Sequence, residues 1–188
     1  MNNILPRTPL LLIDVQNAFD DPEWGERNNK DAEEKIKMLL SAWRESGRPA
    51  LFVQHASRAV DSLFHPAKPT FPFKSGIEPI AGERVFRKYV NSSFIGTDLE
   101  DALRQSECEQ IVIAGLTTNH CVETTTRMAG NLGFNPILAE DACATFGRRG
   151  PDGTYYSAER IHEMTLVNLH EEFARIRTTA EVLAMLRE

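Results

Sequence analysis

Short apolar runs alternate with longer stretches of helical period along this chain. Leu10-Leu11-Leu12-Ile13 is continuously apolar and stops at Asp14, the pattern of a strand buried on both faces. From about 31 to 46, Ile36, Leu39, Leu40 and Trp43 recur at helical spacing, and Gly47 supplies the stop. Residues 50–53 predict a second strand and 84–86 a short third. Thr97 and Glu100 have capping-box spacing and open a helix carrying Leu99, Ala102 and Leu103. Residues 111–114 predict the central strand, 118–132 a helix closed by Gly133, and 137–139 a further strand. After a glycine-rich loop over 147–153, a helix is predicted over about 157–173, with Ile161, Met164, Leu166, Val167 and Phe173 on its buried side. A short strand around Ile176 follows, then a helix capped by Thr178 with Glu181 three residues on.

Alternation of this kind requires crossover connections, hence an α/β fold whose mostly parallel sheet is covered on both faces. The 188 residues fit one domain, and no repeat or linker divides 1–188. The stretch 55–83, with several prolines and little periodicity, reads as an excursion over one edge. Hydrophobic residues at 41% and charged residues at 26% give a globular balance and argue against disorder. The net charge of −6 removes the basic surplus that a phosphate-tracking protein shows, so nucleic acid is not an expected partner. No apolar run approaches the roughly 20 residues that span a bilayer, so no membrane partner is expected either. The opening MNNILPRTPLLLID has no charged n-region or cleavage site, and three cysteines make no disulfide framework. A cytoplasmic protein is the expectation.

In doubly wound sheets ligands bind beyond the carboxyl ends of the strands, so residues just after strands carry the interest. Asp14 is one, as a turn residue or as a chemical group; Asp20 and Asp21 read as solvated loop residues. Cys121, in Gly115-Leu116-Thr117-Thr118-Asn119-His120-Cys121-Val122, falls in the first turn of the helix after the central strand. The positive end of a helix dipole favours a thiolate there, while the alternative is a cysteine packed as a small hydrophobe. Packing is the reading for Cys108 and for Cys143, the latter placed in a loop. Lys88 follows the third strand, where a lysine is ordinarily a solvated charge. His55 ends the second strand behind Val53 and Gln54, which are not zinc ligands, and no His-Glu-x-x-His occurs, so no metal is expected. Phosphate-cradling glycine loops are absent, and no cofactor is expected. Arg148-Arg149 reads as a flexible solvated loop, with contact to an anionic group as the other reading.

Three segments together resemble the isochorismatase-like cysteine hydrolases: 11–19 (LLIDVQNAF), Lys88 before Asn91-Ser92-Ser93-Phe94, and Gly115 through Val122. The resemblance continues through Asp141-Ala142 to the closing helix. It implies a three-layer α/β/α sandwich with a mostly parallel, Rossmann-like sheet. It further implies Cys121 as nucleophile, Asp14 as the base that takes its proton, and Lys88 as the cation between them. A cis peptide at Leu116-Thr117 and an oxyanion hole from the N–H groups of Thr117 and Cys121 are implied as well. Nicotinamidases of this family carry an Asp-x-His metal motif where this chain has Val53-Gln54-His55. Isochorismatases that cleave a vinyl ether commonly lack the cysteine. Both departures point to a metal-independent amidohydrolase, similar to streptothricin hydrolase-like members through His55-Ala56-Ser57 and Gly150-Pro151-Asp152-Gly153. Phe19, Trp24, His55 and Thr118 are the candidate substrate contacts, with Phe64 and Phe71 as further pocket walls. A small-molecule substrate and a homodimer or homotetramer are expected. A vinyl-ether hydrolase and a catalytically silent binding protein on the same fold are the alternatives.

Overall fold

The computed structural model describes residues 3–187. In chain order the regular elements are β1 (Leu10–Ile13), α1 (Ala32–Glu45), β2 (Ala50–His55), β3 (Arg84–Lys88), α2 (Leu99–Gln105), β4 (Gln110–Leu116), α3 (Glu123–Asn131), β5 (Asn135–Ala144), β6 (Arg148–Arg149), β7 (Tyr155–Tyr156), α4 (Ala158–Leu169), β8 (Arg175–Arg177) and α5 (Thr179–Arg187). Six strands form one sheet in the order β3-β2-β1-β4-β5-β8, every neighbouring pair parallel. Strand order reverses between β1 and β4, which places the ligand crevice of this topology between their carboxyl ends.

Because strand side chains alternate in direction, the continuous run of β1 serves two cores. Leu10 and Leu12 join Val112, Ala114, Ile137 and Ala139 beneath Trp43 of α1 and Val182 of α5. Leu11 and Ile13 join Val53, Ile111, Ile113 and Leu138 on the opposite face, with Leu99, Leu103 and Ala129 from α2 and α3. The result is the three-layer sandwich. β1 and β4 approach closely at Ile13↔Gly115, where the β4–β5 register also shifts. A Cβ on Gly115 would stand 2.1 Å from the Ile13 carbonyl oxygen, and its φ of +134° is open chiefly to glycine. Among the described residues no helix is long and apolar enough to cross a membrane.

Several local expectations are corrected by packing. β5 runs through Cys143, so that cysteine is a fully buried strand residue and not part of a loop. α4 stops at Leu169 and buries Ala158, His162, Thr165 and Leu169. Met164 and Val167, expected inside, are 41% and 61% exposed, so the buried stripe is the less apolar one. Thr178 and Glu181 form the reciprocal capping box. Thr97 accepts from the Leu99 N–H, but Glu100 pairs with Arg104 and never turns back. The 56–83 excursion is more than an edge cover: Ile77 is fully buried and Phe73 packs on the α1 core.

Buried His162 yields a pH prediction. Burial lowers its pKa from 6.5 to about 4, and its Nδ1 pairs with Thr118 Oγ1 at 2.9 Å. The folded value lies below the unfolded one, so this stabilisation is complete above pH 6.5 and is lost as pH falls toward 4. Urea unfolding at pH 7 and pH 4 should show the native protein losing on the order of 3 kcal/mol more than His162→Gln. Equal losses would remove the role of His162.

Candidate active site

Four strand ends deliver the candidate groups. Asp14 leaves β1 at a φ of 52°, its N–H donating to Val53 O at 3.0 Å. Lys88 is the last residue of β3 and, against the ordinary lysine reading, fully buried. Its Nζ reaches across the end of β2 and donates to Asp14 Oδ2 at 2.6 Å and to His55 Nδ1 at 3.2 Å. To accept, His55 must be neutral with its proton on Nε2. Its pKa is lowered by burial first and then by the Lys88 charge, in agreement with that state. The second oxygen, Asp14 Oδ1, is buried without a hydrogen-bond partner among the described residues. Cys121 Sγ, an Asp14 oxygen and a His55 ring nitrogen all lie within 4.8 Å of one another. Burying two ions costs several kcal/mol each, so a hydrophobic pair would stabilise the fold at least as well. The charges are explained by chemistry sooner than by stability.

Those three donor atoms are the set a metal ion would use, but they do not fit one. The Lys88 ammonium already bonds both Asp14 and His55, and a second cation beside it would meet direct repulsion. The bond Leu116-Thr117 is cis.

Cys121 sits in a widened π turn, Thr118–Val122, that leads into α3. Its thiol pKa is pushed up to about 12, by burial first and then by the Asp14 carboxylate, with Lys88 offsetting part. Burial and the Asp14 carboxylate thus act against the helix dipole, which favours the thiolate. Cys143 is likewise raised to about 12 and Cys108 to about 11, both through burial. Access separates the three, since only Cys121 is partly exposed. Brief iodoacetamide treatment should label Cys121 first, at a rate that keeps rising beyond pH 9. Peptide mass spectrometry showing equal labelling, or a rate already level at pH 7, would contradict this.

Beside the triad, Phe19, Trp24, Phe64 and Phe146 form one aromatic cluster, and Phe64 meets the His55 ring edge-on at 5.4 Å. Trp24 and Phe146 wall a cleft of about 350 Å³ that Thr117 also lines. Phe19 is buried behind them, and Phe71 accepts the Gln16 amide at its carbonyl. Thr118, expected to touch substrate, is fully buried and turned toward His162, away from the cleft. Sequence reasoning assigned no role to Gln16, whose side chain donates to His55 O and accepts from the His55 N–H, tying β1 to β2. Its place two residues past Asp14 was the available signal. Nor did it assign one to Phe146 or Asn119. Arg148 and Arg149, expected in a flexible loop, form a small hairpin with Tyr155 and Tyr156 that borders the cleft.

Residues 8–181 match the family model described as the isochorismatase domain. The isochorismatase family protein YrdC of Bacillus subtilis is 51% identical over 174 residues, covering 93% of each chain. The streptothricin hydrolase of Streptomyces noursei is 32% identical over 148 residues, 76% of this chain and 56% of that protein. A solved structure from Chromobacterium violaceum, described as a hydrolase of the isochorismatase family, superposes with a TM-score of 0.95 at 45% identity, covering 97% of this chain and 95% of that one. The chain belongs to the isochorismatase family, and its fold is that of the family's hydrolases.

Proposed function

We propose that this protein hydrolyses a small-molecule amide or related C–N bond through a thioester on Cys121. One observation carries the reading: the Cys121 sulfur lies within 4.8 Å of a carboxylate oxygen of buried Asp14, whose Oδ2 is held by Lys88. Asp14 takes the Sγ proton as sulfur attacks the carbonyl carbon, and Lys88 offsets the charge that forms. The Thr117 N–H, which donates to no acceptor among the described residues, and the Cys121 N–H stabilise the oxyanion. Asp14, now protonated, returns the proton to the leaving nitrogen, and the amine departs. Water then adds to the thioester with Asp14 again as base, releasing the acid and restoring the thiol.

Lys88 and His55 divide the remaining work. His55 accepts one ammonium proton and keeps Lys88 aimed at Asp14, so His55 is a positioning residue. Similarity to a streptothricin hydrolase supports amide chemistry. The reading needs no metal or cofactor, nucleic acid or membrane, and a cytoplasmic location is proposed with it. The exposed Met164 and Val167 of α4 offer an apolar face for a homodimer or homotetramer. The test is a panel of small amides at neutral pH followed by intact mass of the enzyme. Amine release together with an acyl adduct on Cys121 is expected; hydrolysis with no adduct at any substrate concentration would sink the thioester.

A further inference from the structure

The cleft lined by Thr117 and His120 is built asymmetrically. Trp24 and Phe146 stack on each other at 5.4 Å and 27°, and together they give the cleft one apolar wall. At its rim stands Arg148, exposed and without a carboxylate partner among the described residues. Arg148 Nη1 donates to His120 Nε2, and the proton left on His120 Nδ1 faces Thr117 Oγ1 at 3.4 Å. His120 is therefore neutral; burial first, and then the Arg148 charge, lower its pKa. One donor of the guanidinium is spent on His120, and the others stay free in a planar fork. Arg149, the adjacent cation of the cleft, is occupied by Gly153 O at 3.0 Å and by the Tyr155 ring. Asn119 Oδ1 accepts from Thr145 Oγ1 at 2.5 Å, which leaves the Asn119 amide N–H groups to donate. Glu23 is the one carboxylate that borders the cleft, and it is exposed to solvent.

Free donors and a free cation, in a cleft also lined by Thr117 of the proposed oxyanion hole and by His120, the neighbour of Cys121 in the chain, call for an acceptor group with negative charge. We propose that the substrate carries a carboxylate remote from the scissile bond, and that Arg148, oriented by His120, is the residue that selects it. This deepens the amide reading above and rests on it only for the position of Cys121. A single exposed charge-assisted contact of this kind favours the anion by roughly tenfold over a neutral isostere.

The test needs no knowledge of the natural substrate. N-bromoacetyl-β-alanine and its primary carboxamide differ only in charge at the far end, and both alkylate thiols. Their rates on Cys121 are measured by peptide mass, and the carboxylate-to-carboxamide ratio is divided by the same ratio for free glutathione. The native protein should give a normalised ratio of roughly 10, falling as salt is raised because Arg148 is exposed. Arg148→Gln should bring the ratio to about 1, with Arg148→Lys in between because the point charge remains without the fork. A native ratio near unity overturns the proposal. So does a high ratio that persists in Arg148→Gln, since Lys88 would then be the source of attraction. A carboxylate preference that depends on Arg148, in a protein that forms no acyl adduct with any amide, supports the anion site while sinking the amide reading.

Discussion

Replacing Cys121 by alanine should lower amide turnover by roughly 10³-fold or more and leave substrate affinity within a few-fold. Alanine removes only the sulfur, and the walls built by Trp24, Phe146 and Thr117 keep their shape. Asp14→Asn should lose turnover to a similar extent, because an amide side chain accepts no proton from sulfur and returns none to nitrogen. The two single losses should not add in the double variant, since both residues serve the same step. The pair also separates two chemistries. A vinyl ether is cleaved by protonation and water, so in an isochorismatase-type reaction Cys121→Ala would keep much of its rate while Asp14→Asn loses it. Single-turnover kinetics on both variants, with intact mass of the native enzyme, decides between them. An active Cys121→Ala protein would end the thioester mechanism.

The sheet was legible in the sequence because it is buried on both faces. The central strands had to be apolar at consecutive positions, and runs such as Leu10 through Ile13 admit few other readings. Helix faces were less legible. In α4 the buried stripe carries His162 and Thr165, whose polar groups find partners in Thr118 and Glu123, while the apolar Met164 and Val167 face outward. A periodicity argument assigns the greasier side inward and cannot see those hydrogen bonds.

The candidate site divides the same way. Asp14 and Cys121 follow apolar strands by zero and by a few residues, so topology alone drew attention to them. Lys88 carried the same mark, since it follows the third strand, but nothing local distinguishes a buried lysine from one in water. Its burial is decided by Asp14 and His55, 74 and 33 residues away in sequence. The surroundings of the Cys121 thiol were only half readable for a related reason. Helix position is readable locally, but desolvation and a carboxylate brought from another strand, which act against it, are not. Arg148 was underread because a hairpin of two-residue strands leaves no periodic trace.

The Lys88–Asp14 pair carries the largest stability effect. Both side chains are buried, at 0% and 1% exposure, and Asp14 Oδ1 already lacks a partner. Lys88→Met keeps the length and volume of the stem but strips the carboxylate of its only ion-pair partner among the described residues. Breaking one side of a buried pair costs about 3–5 kcal/mol, a large share of a typical folding free energy. For a chain of this size that corresponds to a Tm lower by roughly 10 °C. His55 Nδ1 loses its donor at the same time and adds to the cost. The double variant Lys88→Met/Asp14→Asn removes both ions together, leaving a neutral amide beside a thioether. It should recover most of the lost stability while remaining inactive, because the price of the buried charges is no longer met from one side only. Urea unfolding of the four proteins closes the cycle. A Lys88→Met protein as stable as the native one would mean that the ammonium and the carboxylate are not partners in solution. A double variant no more stable than Lys88→Met would place the loss in the packing of the lysine stem.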